Sequence, residues 1–351
     1  VVSLMNIKES LIALVDEGRN LNREEATDVM RDIMRAGTDQ SDGPIATESQ
    51  FGAFVTAMRL KGETVDELAG MATAMREFSL KVDTNFRPLL DTAGTGGSGK
   101  KRFNASTAAA FVAAAGGAKV AKHGNRAMTS KSGAADFLES LGAEIAISPE
   151  KVSNCIDSTG IGFMFAPVFH PAMRFAAPIR PSLGFRTAFN ILGPLTNPAG
   201  ANCHVLGAAN IELGEKLAQV LCLFEMRHAL VVVGHDGVDD ISVTGKSTIF
   251  EVKEDKLRRF ELSPEELGLE RHDEDELVGG TSDENAEIWR SVLAGSGPLA
   301  IRNLVAAQAG AGLYVTGLAS SIRSGCEQAI NLIESGDVAA KVAAFIEATR
   351  K

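Results

Sequence analysis

Asp91–Asp136 reads DTAGTGGSGKKRFNASTAAAFVAAAGGAKVAKHGNRAMTSKSGAAD. An apolar run ends in Asp91-Thr92-Ala93, a loop follows with Gly94, Gly96, Gly97 and Gly99, and Ser106-Thr107 open an alanine-rich segment. The order is strand, glycine loop, helix N-terminus. Glycine lets the backbone come close to a ligand, and the first-turn N–H groups of a helix lack intrahelical partners and lie at the positive end of its dipole. A short glycine motif alone is more often a capped turn than a site. Here, however, seven basic residues (Lys100, Lys101, Arg102, Lys119, Lys122, Arg126, Lys131) and no acid stand between the two aspartates, in a chain of net charge −10. Basic surroundings of this kind turn the reading toward phosphate.

Outward from this stretch, short apolar runs alternate with helical patterns after residue 85. Strands are expected at Leu89–Ala93, Ala118–Lys122, Gly162–Ala166, His204–Ala208, Ala229–Gly234 and Thr248–Val252. That alternation gives a largely parallel sheet covered by helices. In such sheets ligands lie beyond the carboxyl ends of the strands, where Gly94 and Lys122 both fall, so the two basic motifs should converge. Residues 6–80 are helical throughout. Ile7, Leu11, Ile12 and Val15 share a face before Gly18, Asn22 caps a second segment, Thr47 precedes a third, and Thr64 with Glu67 forms a capping box before a fourth. The polar insert 38–47 reads as a surface turn. The expected fold class is α/β: a small all-helical N-terminal domain (1–83, completed by about 171–200) and a larger α/β domain with a largely parallel central sheet flanked by helices (84–170 and 201–351).

Composition sets the remaining bounds. A chain of 351 residues, 45% hydrophobic, can bury a core in about two domains. No apolar run is long enough to span a bilayer, and VVSLMNIKES lacks the regions of a signal peptide. Cys155, Cys203, Cys222 and Cys326 are scattered without metal-site spacing and read as reduced thiols of a cytoplasmic protein. A sequence pI near 5.2 argues against generic nucleic-acid or membrane binding.

Two further stretches carry chemistry. The window between Asp157 and Glu212 is again free of acids, contains Arg174, Arg180 and Arg186, and is dense in proline, as at a domain crossing. Val233–Asp240 reads VGHDGVDD, which places adjacent carboxylates after an apolar strand. Such hard oxygen ligands suit Mg²⁺ on a pyrophosphate, although the stretch alone reads as an acidic turn. The acidic region 253–290 reads as solvated surface. The helices that follow it are assigned no chemistry.

Three motifs in register, GTGGSGKKRFNAST, KHGNRAMTSKSGAADFLESLG and FMFAPVFHPAMRFAAPIRPSLGFRTAFNILGPLTNPA, resemble anthranilate phosphoribosyltransferase. The resemblance runs from about Leu11 to the last helix. It implies transfer of the phosphoribosyl group of phosphoribosyl pyrophosphate to the amine of anthranilate, in tryptophan biosynthesis. By the same resemblance, Gly94, Gly97, Ser98, Asn104, Ser106, Thr107 and Lys122 take phosphoribosyl pyrophosphate. Gly94, His123, Asn125 and Arg180 take anthranilate, Arg180 through its carboxylate, and Ser106, Asp239 and Asp240 hold Mg²⁺. A homodimer through the helical domain is also implied.

Charge developing on the leaving pyrophosphate would be met by Mg²⁺, Lys and N–H donors. Anthranilate's amine is neutral at pH 7 and needs placement more than deprotonation, so no general base is assigned. Four positions depart from the family pattern: Ser98 for Asp, Arg102 for Thr, Ala134 for Ser and Asp240 for Glu. Ser98 and Arg102 would make the loop more positive and tighten phosphate binding or change the substrate. Asp240 would shift the metal by about a bond length. Alternatives are another aromatic amine acceptor, a pyrimidine nucleoside phosphorylase of the same fold, which would leave Asp239-Asp240 idle, and a non-catalytic nucleic-acid binder, against which the net charge counts.

Overall fold

The computed structural model describes residues 4–38, 45–96, 102–127 and 131–351. Two compact units emerge: Val1–Lys81 with Ala166–Pro198, and Val82–Phe165 with Ala199–Lys351.

The first unit is helical. Helices Arg23–Ala36, Glu48–Lys61 and Val65–Glu77 begin at Asn22, Thr47 and Thr64, whose side chains accept third-position N–H groups while Glu25, Gln50 and Glu67 reach back to the cap. These boxes satisfy N–H donors that the helix itself cannot. The inward faces bury Val29, Met30 and Ile33, then Phe51, Phe54 and Met58, then Leu68 and Ala72. The first segment departs from its expected face. After Ile7–Leu11 the backbone widens into a π-turn over Ile12–Asp16, in which the Glu17 N–H donates to the Ile12 carbonyl at 3.1 Å. Inserting this turn rotates the stripe, so Ala13 and Leu14 are buried while Ile12 and Val15 are exposed.

The second unit is built on one sheet: β1 (Leu89–Gly94), β2 (Lys119–Gly124), β3 (Ile161–Phe165), β4 (Cys203–Gly207), β5 (His228–Gly234), β6 (Ser247–Lys253) and β7 (Lys256–Leu262). Their order is β3-β2-β1-β4-β5-β6-β7. The first five strands are parallel and the last two antiparallel. The strand order reverses between β1 and β4, the place where open sheets of this type leave a crevice. Helix Ala105–Ala115 and helix Leu299–Thr316 pack together and against β1. Leu90, Val120, Val205, Leu230 and Val232 lie in the core they share.

β7 lies in the region expected to be surface loop. Its Lys256, Arg258 and Arg259 are exposed on an edge strand, where charge blunts pairing with another sheet. Among the described residues no helix is long and apolar enough to cross a membrane. The four cysteines are free thiols, and Cys222 is only partly buried.

Candidate active site at the carboxyl edge of the sheet

β1, β2, β4 and β5 each end on a glycine (Gly94, Gly124, Gly207 and Gly234), and their parallel alignment puts all four at one edge. Gly94 pairs with Gly207 at the switch point. The turn after β5 folds back over this pair. A Cβ on Gly94 would collide with the Asp239 carboxylate, and one on Gly207 with the Asp239 carbonyl. Hydrogen at Gly207 leaves room for the Asp239 backbone over the strand ends, and hydrogen at Gly94 leaves its carboxylate where it lies.

Beyond Gly94, the Thr95 N–H donates to the Gly207 carbonyl at 2.9 Å. Gly96, with φ +66°, donates its N–H to Asp239 Oδ2 at 2.7 Å. The glycine loop and the aspartate turn are therefore in direct contact. Asp240 stands beside Asp239, and desolvation together with that second carboxylate raises its pKa well above the usual carboxylate range, against the opposing pull of Arg102 and Lys122. Two adjacent carboxylates, one resisting ionisation, form a donor set that a divalent cation would relieve. On this observation Asp239 and Asp240 fit a Mg²⁺ site.

Lys122, on β2, is buried, and its ammonium donates to the Thr92 carbonyl of β1. Burial lowers its pKa to about 8, with Asp91 and Asp240 acting in the opposite sense. The Thr92 hydroxyl donates to the Ser106 carbonyl at 2.9 Å, which ties the helix N-terminus to β1. Ser106 is half-buried on that first turn and Thr107 is buried. His123 is buried, its backbone N–H donating to Asp91 Oδ1 at 3.2 Å. Asn125 is exposed just past β2, its Oδ1 accepting the Arg126 N–H at 2.8 Å.

Asn104 occupies the N-cap of helix Ala105–Ala115, yet its side chain makes no capping bond. Its Oδ1 instead accepts from the Asn285 amide and the Ser132 hydroxyl, each at 2.8 Å. Asn285 is fully buried and its own Oδ1 accepts the Gly280 N–H at 2.8 Å. This residue escaped the sequence reading. Its only signal there is an asparagine after Asp283-Glu284, at the start of the apolar-periodic segment that carries Ala286 and Trp289. Asn285→Ala removes a donor to Asn104 and leaves the Gly280 N–H unpaired. It is expected to lower stability by about 1–3 kcal/mol, measured by urea unfolding.

Arg102 corrects an expectation. Rather than adding free positive charge to the loop, its guanidinium is 9% exposed and pairs with Asp236, 7% exposed, at 2.8 Å. Phe103, next in sequence, is buried against Phe137 and Trp289.

Gly97 and Ser98 lie outside the described residues. Arg180 belongs to the helical unit, on the short helix Ile179–Leu183, with its guanidinium 5.6 Å from the centre of the Phe189 ring. Burial lowers its pKa. Phe189 in turn packs on Phe51 at 5.4 Å. Among the described residues no group of three or more His, Cys, Asp or Glu side chains forms a metal cluster. A two-aspartate site completed by a serine is a different donor set.

Two regions of the chain match family models, residues 9–79 the helical bundle domain and residues 87–339 the a/b domain of the glycosyl transferase family. These two matches, over most of the chain, define a two-domain glycosyl transferase. The anthranilate phosphoribosyltransferase of Dehalococcoides mccartyi is 45% identical over 344 residues, 97% of each chain. The crystal structure of the Thermus thermophilus enzyme of that name superposes with a TM-score of 0.89 at 42% identity, covering 98% of this chain and 99% of that one. The Saccharomyces cerevisiae enzyme, in complex with phosphoribosyl pyrophosphate and Mg, gives 0.88 at 28% identity and 98% coverage of both. The chain belongs to the anthranilate phosphoribosyltransferase family.

Proposed function

We infer that the protein transfers the phosphoribosyl group of phosphoribosyl pyrophosphate to the amine of anthranilate, releasing pyrophosphate. The observation that carries the donor half is the contact of the glycine loop with the aspartate turn, Gly96 N–H to Asp239 Oδ2 at 2.7 Å, at the switch point of the sheet. Full-length identity of 45% to an enzyme of that name supports the acceptor.

Each group has a task that its surroundings suit. The Ser106 N–H in the first turn of helix Ala105–Ala115 would bind a phosphate oxygen, since the Asn104 side chain leaves it uncapped, while the Thr95 and Gly96 N–H groups are held by Gly207 and Asp239. Lys122 would supply positive charge at the buried edge of β2. Ser106, Asp239 and Asp240 would hold Mg²⁺, which neutralises charge on the pyrophosphate as it leaves. The fit of the donor set and the Mg in the yeast complex support this assignment. Gly94, His123, Asn125 and Arg180 are assigned to anthranilate, with the Arg180 fork on its carboxylate. Placement of the neutral amine then supplies much of the rate.

Because the Lys122 pKa is lowered to about 8 by burial, its charge is present at pH 7 and is lost as pH rises through 8. Affinity for phosphoribosyl pyrophosphate should therefore fall above pH 8 in titration calorimetry. Lys122→Met should bind more weakly throughout and lack this alkaline limb.

The acceptor is tested by pyrophosphate release. Protein supplied with phosphoribosyl pyrophosphate and Mg²⁺ should release pyrophosphate on addition of anthranilate, and should not cleave a pyrimidine nucleoside with inorganic phosphate. Phosphorolysis without a Mg²⁺ requirement would replace this function with that of the phosphorylases.

A further inference from the structure

We propose that the buried Arg102–Asp236 ion pair is a positioning device, which locks the Asp239-Asp240 turn against the segment leading into Ser106 and so sets the affinity of the site for a divalent cation. This inference rests on the assignment of Asp239 and Asp240 to the cation.

The two residues sit at the roots of the two halves of the site. Arg102 is four residues before Ser106. Its backbone is bridged to Val278, and its neighbours are fixed, Phe103 in the core and Asn104 by Asn285 and Ser132. Asp236 stands three residues before Asp239, in a turn closed by the Gly237 N–H on the Gly234 carbonyl and the Gly234 N–H on the Val238 carbonyl. Its Oδ2 also accepts from the Ser242 hydroxyl at 2.9 Å and the Thr244 hydroxyl at 2.7 Å. Past the carboxylates, the Ile241 carbonyl accepts from the Gln308 amide at 3.1 Å. Asp236 therefore fixes the incoming side of the Asp239-Asp240 turn and Gln308 the outgoing side. Arg102 is the link from that turn to the helix-opening segment.

The form of the pair argues that it is not there for stability. It makes one nitrogen-to-oxygen contact, and both Arg102 Nη1 and Asp236 Oδ1 are buried without a hydrogen-bond partner among the described residues. Taking two charges out of water for a single contact is a poor exchange compared with apolar packing of similar volume. Geometry imposed on a neighbouring site is the compensating benefit. Groups that orient metal ligands in this way typically change metal affinity by about 10–100-fold when removed.

A purely electrostatic role makes the opposite prediction for one partner. Deleting the Arg102 cation would strengthen binding of a divalent cation, and deleting the Asp236 anion would weaken it. Positioning predicts that both deletions weaken it, and that the second adds nothing once the first is made.

The experiment is Mn²⁺ binding, followed by electron paramagnetic resonance in the presence of phosphoribosyl pyrophosphate, for the wild type, Arg102→Met, Asp236→Asn and the double variant. Folding of each is checked by near-UV circular dichroism. Each single variant is expected to bind Mn²⁺ about ten-fold more weakly, and the double variant no more weakly than the singles. Asp236→Asn keeps an acceptor for Ser242 and Thr244, so it carries the test if Arg102→Met does not fold. Tighter Mn²⁺ binding in Arg102→Met, losses that multiply in the double variant, or unchanged binding in folded variants would each overturn the inference alone. A wild-type protein that takes up no Mn²⁺ with phosphoribosyl pyrophosphate would overturn the cation-site assignment as well.

Discussion

Asp239→Ala is expected to lower kcat/KM for phosphoribosyl pyrophosphate by about a thousand-fold while the protein stays folded. Two losses combine in that variant. One is a carboxylate assigned to the cation, and the other is the acceptor that holds the Gly96 N–H at 2.7 Å. The strand ends offer no replacement, because Gly94 and Gly207 have no side chains and are fitted closely to Asp239. Asp239→Asn separates the two effects. It keeps an oxygen for Gly96 but removes the charge, so it should stay well below wild type and need more Mg²⁺ to reach half-maximal rate. Steady-state kinetics across a Mg²⁺ titration would measure both variants. An Asp239→Ala enzyme within ten-fold of wild type would remove Asp239 from the site.

Arg180→Ala should raise KM for anthranilate by about a hundred-fold and leave affinity for phosphoribosyl pyrophosphate nearly unchanged. Its guanidinium lies over Phe189, and its pKa is lowered by burial, so it is already partly stripped of water. A partly desolvated fork binds a planar carboxylate more strongly than a fully hydrated one, and lysine cannot reproduce the paired bonds. Arg180→Lys should accordingly recover only part of the loss. Separate titrations of the two substrates in initial-rate kinetics distinguish this outcome from a general weakening of the enzyme.

The sheet is largely legible in the sequence because its central strands are buried on both sides and therefore read as short continuous apolar runs. His228–Gly234, HALVVVG, is of this kind, whereas Leu89–Gly94, LLDTAG, is legible from its Leu-Leu start and the glycine loop that follows it. β7 is not legible, since an edge strand pairs on one side only and can carry charge on both faces, as Lys256–Leu262 does with Arg258 and Arg259 adjacent. The helix caps at Asn22, Thr47 and Thr64 are local and readable. The π-turn at Ile12–Asp16 is not, because nothing in its composition marks one extra residue per turn.

At the site, the glycine loop and the paired aspartates announce an anion and a cation by their residue types. Their supports are hidden by distance along the chain. Arg102 meets Asp236, 134 residues on, and Asn104 meets Asn285, 181 residues on. Judged by neighbours in sequence, Arg102 belongs to a basic loop, whereas in the fold its charge is matched by a carboxylate.

The most direct test of the central claim is loss of anthranilate fluorescence after mixing purified protein with phosphoribosyl pyrophosphate, with and without Mg²⁺. The predicted result is rapid, Mg²⁺-dependent loss with one pyrophosphate released per anthranilate consumed. No loss from folded protein that binds phosphoribosyl pyrophosphate would contradict the claim and leave the donor site with a different acceptor.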